Sequence, residues 1–180
     1  MEKVKVKIEG VSPLLQHRFP EEENPEHKSK KIKKEFPAKE EAEKGLYKDP
    51  DGKIYQPANT IKGSLLRAST SFLYEKKTSY RQVIAGSVFI TPDAIPHIYQ
   101  KWVVDRQPVV IQRSRIMRAR PRFDKWALEF EMEFDEQVIS KDKLKEILDY
   151  AGQRKGIGDF RPEKGGSFGK FMVTKFEEIK

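Results

Sequence analysis

The chain has 180 residues, enough for a single domain with a substantial core. Its 36 Lys plus Arg against 28 Asp plus Glu leave a net charge of +8, which favours an acidic partner such as nucleic acid or an anionic surface. The absence of cysteine excludes disulfides and thiolate metal sites, and no apolar run approaches the roughly 20 residues of a bilayer span, so a cytoplasmic protein is the expectation.

The chain opens with "KVKVKIEG", in which Val4, Val6 and Ile8 alternate with Lys3, Lys5, Lys7 and Glu9. That spacing predicts a half-buried strand. Residues 20–46 follow as a charged insertion, flexible or marginally helical alone; Glu21 to Pro50 holds nine acidic and eight basic residues and almost nothing apolar. "KDPDG" then turns the chain between Leu46-Tyr47 and Ile54-Tyr55. "NTIKGSLLRASTSFLYEK" reads as a helix capped by Asn59, with Ile61, Leu65, Ala68 and Phe72 on one face. Gly63 in its first turn costs about 1 kcal/mol relative to Ala, which points to close packing or a nearby ligand.

"QVIAGSVFITP" reads as a buried strand, and "KWVVDRQPVVIQ" as one or two more, with Pro108 at an edge or a break. "KWALEFEMEFDE" alternates Trp126, Leu128, Phe130, Met132 and Phe134 with polar or small residues, the clearest strand signal in the chain. "SKDKLKEILDYAG" predicts a helix capped by Ser140, turning Leu144, Ile147, Leu148 and Ala151 inward and stopping at Gly152. "KFMVTKFEEI" closes the chain as a strand. The order with excursions removed is β-α-β-β-α-β, an α+β ferredoxin-like (RRM-like) antiparallel sheet with two helices on one face, within one domain over 1–180. An open parallel sheet is disfavoured because the long strand alternates instead of being apolar throughout.

Two segments carry the chemistry. Residues 101–125 hold eight basic and two acidic residues and read as a basic hairpin arm. In an extended chain Arg113 and Arg115 share a face, as do Arg118, Arg120 and Arg122, spacing guanidiniums about 6.5–7 Å apart, near the phosphate spacing of a single strand. Arginine suits phosphate because it donates paired hydrogen bonds and stacks on bases. The second segment is the glycine-rich loop, 152–170. It sets Gly156, Gly158, Gly165, Gly166 and Gly169 among Arg154, Lys155, Arg161, Lys164 and Lys170. Glycine lets backbone N–H groups approach a phosphate and the flanking cations neutralise it. A tight structural turn or a mobile excursion would call for the same glycines. The loop precedes a strand instead of opening a helix and lacks the Gly-Lys-Ser/Thr of a P-loop, which argues against a nucleotide-cofactor site. Trp102, Phe123 and Phe168, interleaved with these cations, are candidates to stack on bases.

The segment Tyr55 to Ala68, "YQPANTIKGSLLRA", resembles a motif of the RAMP superfamily of CRISPR-associated RNA-binding proteins, with Pro57, Thr60, Ile61, Lys62, Gly63, Leu66 and Arg67 at matching positions. The glycine-rich loop between last helix and last strand is similar to that family's C-terminal signature, so the resemblance covers roughly Tyr55 to Phe176. The chain also resembles short uncharacterised proteins of bacteriophages and prophages, for which the location would be the host cytoplasm. The resemblance implies single-strand binding, with Lys62, Arg67 and the glycine loop flanking the strand.

The expected function is therefore non-catalytic binding of single-stranded RNA or DNA, with homo-oligomerisation along the strand an open possibility. No cofactor and no metal are expected, since the acidic residues are scattered or set beside lysine. Two alternatives stand beside it. Some RAMP relatives cleave RNA without metal through a histidine, and of His17, His27 and His97 the best placed is His17. The other is a phage interaction protein, such as a defence inhibitor, whose arm binds an acidic protein.

Overall fold

Residues 1–19, 37–111 and 113–179 are described by the computed structural model. Strand β1 (Glu2–Gly10) pairs antiparallel with β10 (Trp126–Phe134) on one side and β11 (Phe171–Glu178) on the other. On its far side β10 pairs with both β6 (Val88–Thr91) and β7 (Ala94–Tyr99), and β3 (Tyr55–Pro57) extends the sheet beyond β7. The alternation read from the sequence sets the faces. Val4, Val6, Ile8, Leu128 and Met132 are fully buried, whereas the lysines of β1 lie beside the glutamates of β10 on the outer face. Lys3 reaches Glu133 at 3.6 Å and Lys5 reaches Glu129 at 3.9 Å, so that face is close to neutral.

The buried face is covered by α2 (Ala58–Ala68) and α4 (Lys141–Tyr150), with Ile61, Leu65, Leu144, Ile147 and Leu148 at 0% exposure. Ser140 caps α4 as its position predicts, its side chain accepting from Lys143 N–H. Asn59 does not cap α2. Pairing of β3 with β7 holds the chain extended as far as Pro57 (ψ 131°), and the helix starts directly after it with no side-chain cap. The run expected to be one buried strand divides: Arg81–Ser87 is helix α3, and only Val88–Thr91 is strand. A short apolar run carries no period that separates the two. Here Lys62 decides it from afar, its amine donating to the carbonyls of Ile84 (2.5 Å), Ala85 and Val88 at the end of α3. Between α2 and α3, β4 (Leu73–Glu75) and β5 (Thr78–Ser79) form a small hairpin.

A second antiparallel sheet is the arm. β8 (Trp102–Ile111) and β9 (Ser114–Phe123) pair along their whole length, and β2 (Leu14–Leu15) joins the root of β9. Pro108 does not break β8, which is an edge strand where a missing N–H is tolerated. The fold is thus α+β, with antiparallel sheets and four α-helices among the described residues. Of the charged segment expected over 20–46, residues 20–36 (His27 among them) lie outside the described residues. Its end forms α1 (Ala38–Lys44), which packs beside β9. Among the described residues no helix is long and apolar enough to cross a membrane.

Candidate nucleic-acid interface

The glycine-rich loop is built by contact with the chain itself. After α4 the helix widens into a π turn, Ala151–Lys155, and ends at Gly156 (φ 68°), not at Gly152. Gly152 lies within that turn because a Cβ there would sit 2.2 Å from the Phe171 carbonyl oxygen. A Cβ at Gly166 would lie 1.7 Å from Phe160 O, and one at Gly169 (φ 71°) 1.8 Å from Ile157 O. A Cβ at Gly158 (φ 76°) would lie 2.4 Å from Leu15 O. The donors are committed as well. Gly156 N–H donates to Ala151 O, Gly165 to Pro162 O, Gly166 to Arg161 O and Gly169 to Pro13 O. The expectation that these amides approach a phosphate therefore meets a physical obstacle, because the glycines hold a folded loop against Val11–Leu15. Phe168 is half-buried in that loop, its N–H on Phe160 O.

The arm divides its arginines. Arg118 bonds Glu41 at 3.0 Å while the same carboxylate accepts from Ala119 N–H, so α1 caps the exposed edge of β9. Arg122 pairs with Asp105 (3.0 Å) and Asp124 (2.8 Å). Arg120, 7% exposed, sits 2.5 Å from Asp159 and lies over the Phe160 ring at 4.8 Å. The row expected to meet phosphates is thus satisfied by carboxylates from α1, β8 and the glycine loop. Arg113 does not share a strand face with Arg115; it stands at the turn with φ 66°, and Arg115 points opposite to Arg118, Arg120 and Arg122. Arg106, Arg113 and Arg115 are exposed and have no ion pair among the described residues, and Arg154, Lys155, Lys164 and Lys170 likewise have none. Phe123 is fully buried, so its ring is closed to a base, and Trp102 is half-buried against the core.

Where the root of the arm, α2 and the glycine loop meet, a cleft of about 520 Å³ opens. Its floor is a closed chain of amides: Gln16 donates to Tyr55 O and Gln56 Oε1, accepts from Tyr47 N–H, and Gln56 donates to Thr60 Oγ1. One wall is the face of α2 that carries Asn59, Thr60 and Arg67. The Arg67 guanidinium folds back over the helix, 3.0 Å from where a Gly63 Cβ would be. The opposite wall is Ile157–Arg161. Arg67 (2.6 Å) and Arg161 (3.1 Å) converge on one carboxylate oxygen of Glu163. Burial lowers the Arg67 guanidinium from its ordinary value; Glu163 opposes this, and the charges of Arg161 and Arg81 add to it. Lys62, by contrast, is drawn away toward α3.

His17 and the exposed ring of Phe19 complete the rim with Tyr47. Arg120 Nε donates to His17 Nδ1 at 3.1 Å, which places the imidazole's own proton on Nε2. Burial, then the Arg120 charge, lowers the His17 pKa, with Asp159 at 3.7 Å opposing, so the ring is neutral at pH 7. The structure thus joins Arg67, Arg120, Arg161, Gly158 and His17 in one place. It adds Gln16, Phe19, Asn59 and Asp159, which carried no local sequence signal.

No family model and no curated protein matches this chain. Among solved structures its fold is similar to that of a chain in the type III-B Cmr-beta complex, determined by cryo-EM bound to cognate target RNA. The TM-score is 0.68 at 17% identity, over 99% of this chain and 61% of that chain. The present chain therefore spans about three-fifths of its neighbour's length, and the likeness is one of fold.

Proposed function

We propose that this chain is a RAMP-type, single-stranded nucleic-acid-binding protein, RNA being favoured, with the strand crossing the cleft between α2, the glycine loop and the root of the arm. One observation carries the reading: three segments separated in sequence, Pro57–Arg67, the basic arm and the glycine-rich loop, converge on one groove lined by Arg67, Arg120 and Arg161. The strand order β11-β1-β10-β6, with α2 between β1 and β6 and α4 between β10 and β11, supports the ferredoxin-like plan. The neighbour's place in a complex holding target RNA supports RNA over DNA. Phosphate contacts then fall to the uncommitted cations: Arg106, Arg113 and Arg115 of the arm, and Arg154, Lys155, Lys164 and Lys170 of the loop. Arg118, Arg122 and Lys62 act as structural ties. The neutral outer face of the sheet has no part in it.

Titration with single-stranded RNA, single-stranded DNA and duplex at two salt concentrations tests the reading. Single strands should bind best, with log affinity falling by about 0.7 per neutralised phosphate for each tenfold rise in salt. Affinity independent of salt, or preference for duplex, overturns it. A second reading, metal-independent cleavage of RNA, is favoured by the place of His17 in the same cleft with a neutral ring braced by Arg120. It requires RNA products in EDTA that vanish in His17→Ala.

A further inference from the structure

The cleft is more specifically furnished than a track for a backbone requires. We propose that it is a pocket for one unstacked nucleotide of the bound strand, with adenine the preferred base. This rests on the strand-binding reading above and adds a base-reading site to it.

Four observations carry the inference. The volume, about 520 Å³, lies within the roughly 300–1,000 Å³ typical of small-molecule sites. Phe19 is 85% exposed on its rim, its ring tilted against His17 at 6.1 Å, and Tyr47 lines the same space. Two aromatic faces at the mouth of a cationic cleft suit a base, which stacks on them whatever its identity.

The amides of the floor are spent on one another, so Gln16 and Gln56 hold a rigid surface and offer nothing to a ligand. Asn59 is different: it lines the cleft, is exposed, and its carboxamide has no partner among the described residues. A free carboxamide presents a donor beside an acceptor, the complement of the N6/N7 edge of adenine.

The charge is arranged for a phosphate. Arg67 and Arg161 share the single carboxylate of Glu163, with Arg81 adding positive potential. The first turn of α2, whose Asn59 and Thr60 line the cleft, has no side-chain cap; Ala58 N–H is taken by Asp93 O, which leaves the N–H groups of Asn59 and Thr60 to face an anion. Glu163 holds internally the place that a nucleotide phosphate would take.

The test uses the full chain with the four nucleoside 5′-monophosphates and ribose 5-phosphate as probes, read by isothermal titration and by chemical-shift changes. Adenosine 5′-monophosphate is expected to bind best, and ribose 5-phosphate about tenfold more weakly. Phe19→Ala, at an exposed position that leaves the fold intact, should weaken the nucleotide about tenfold and leave ribose 5-phosphate unchanged. Asn59→Ala should level the four bases. Glu163→Gln should tighten every phosphate-bearing probe, whereas a merely structural carboxylate would only lower the melting temperature. Absence of binding by any monophosphate, equal binding of ribose 5-phosphate, or indifference to both Phe19→Ala and Asn59→Ala overturns the pocket. Strand binding that persists unchanged when every base is replaced by an abasic site also overturns it, while leaving the strand-binding reading standing. Monophosphate binding without strand binding does the reverse.

Discussion

At the root of the arm, Arg118, Arg120 and Arg122 each meet a carboxylate, and Arg120 is 7% exposed between Asp159 and Phe160. Arg106, on the opposite face of β8, and Arg113 and Arg115, toward the tip, are exposed and have no ion pair among the described residues. The two halves have similar composition and opposite physics. A guanidinium at the root is already bonded, and a phosphate would have to displace a charge-assisted pair to reach it. At the tip the cation surrenders only water and counterions. Density of arginine along a strand therefore locates the arm, while the positions of the carboxylates locate where on it an anion can bind.

That contrast can be broken in four ways. The largest effect is expected where the glycine loop clamps the root. Gly169→Ala places a Cβ 1.8 Å from Ile157 O at a φ of 71°, and should destabilise the fold by about 3 kcal/mol or more in urea unfolding. An unchanged midpoint would mean that the loop is not packed as described. Arg120→Ala leaves Asp159 uncompensated and removes the contact with Phe160. A loss of about 2–3 kcal/mol is expected, with Asp159 partly solvated and so below the cost of a fully buried pair. If strand affinity collapsed while stability held, Arg120 would belong with the tip.

Acid should loosen the root as well. His97 packs its ring on Phe123 at 4.3 Å, neither ring nitrogen has a hydrogen-bond partner among the described residues, and burial pushes its pKa down to about 4. The folded state therefore binds this proton less readily than the unfolded chain, whose histidine titrates near 6.5. The stability due to the neutral ring is complete above pH 6.5 and is lost as pH falls toward 4, by about 2 kcal/mol at pH 5. Melting curves from pH 7 to pH 5 should show this loss in the native chain and not in His97→Phe. The smallest effect on stability, within about 0.5 kcal/mol, is expected from converting Arg106, Arg113 and Arg115 together to Gln. The same variant should lower the salt slope of single-strand binding by roughly 2. An unaltered slope would show that the tip does not meet phosphate.

The elements that local pattern determined are those whose partners are a few residues away. The period-two alternation of β1 and β10 and the Ser140 cap of α4 were legible because a strand face and a helix start are decided within one or two turns of chain. The apolar run Gln82–Ser87 was not, since its helical state depends on an amine 22 residues earlier in sequence, that of Lys62 on Ile84 O. The candidate site divides in the same manner. Its cations could be counted from the sequence, as could the unusual Gly63 and the glycine loop. Which cations are free could not, because Glu41 meets Arg118 across 77 positions and His17 meets Arg120 across 103. Charge is a property of a residue, and availability is a property of its neighbours, which only the folded chain brings together.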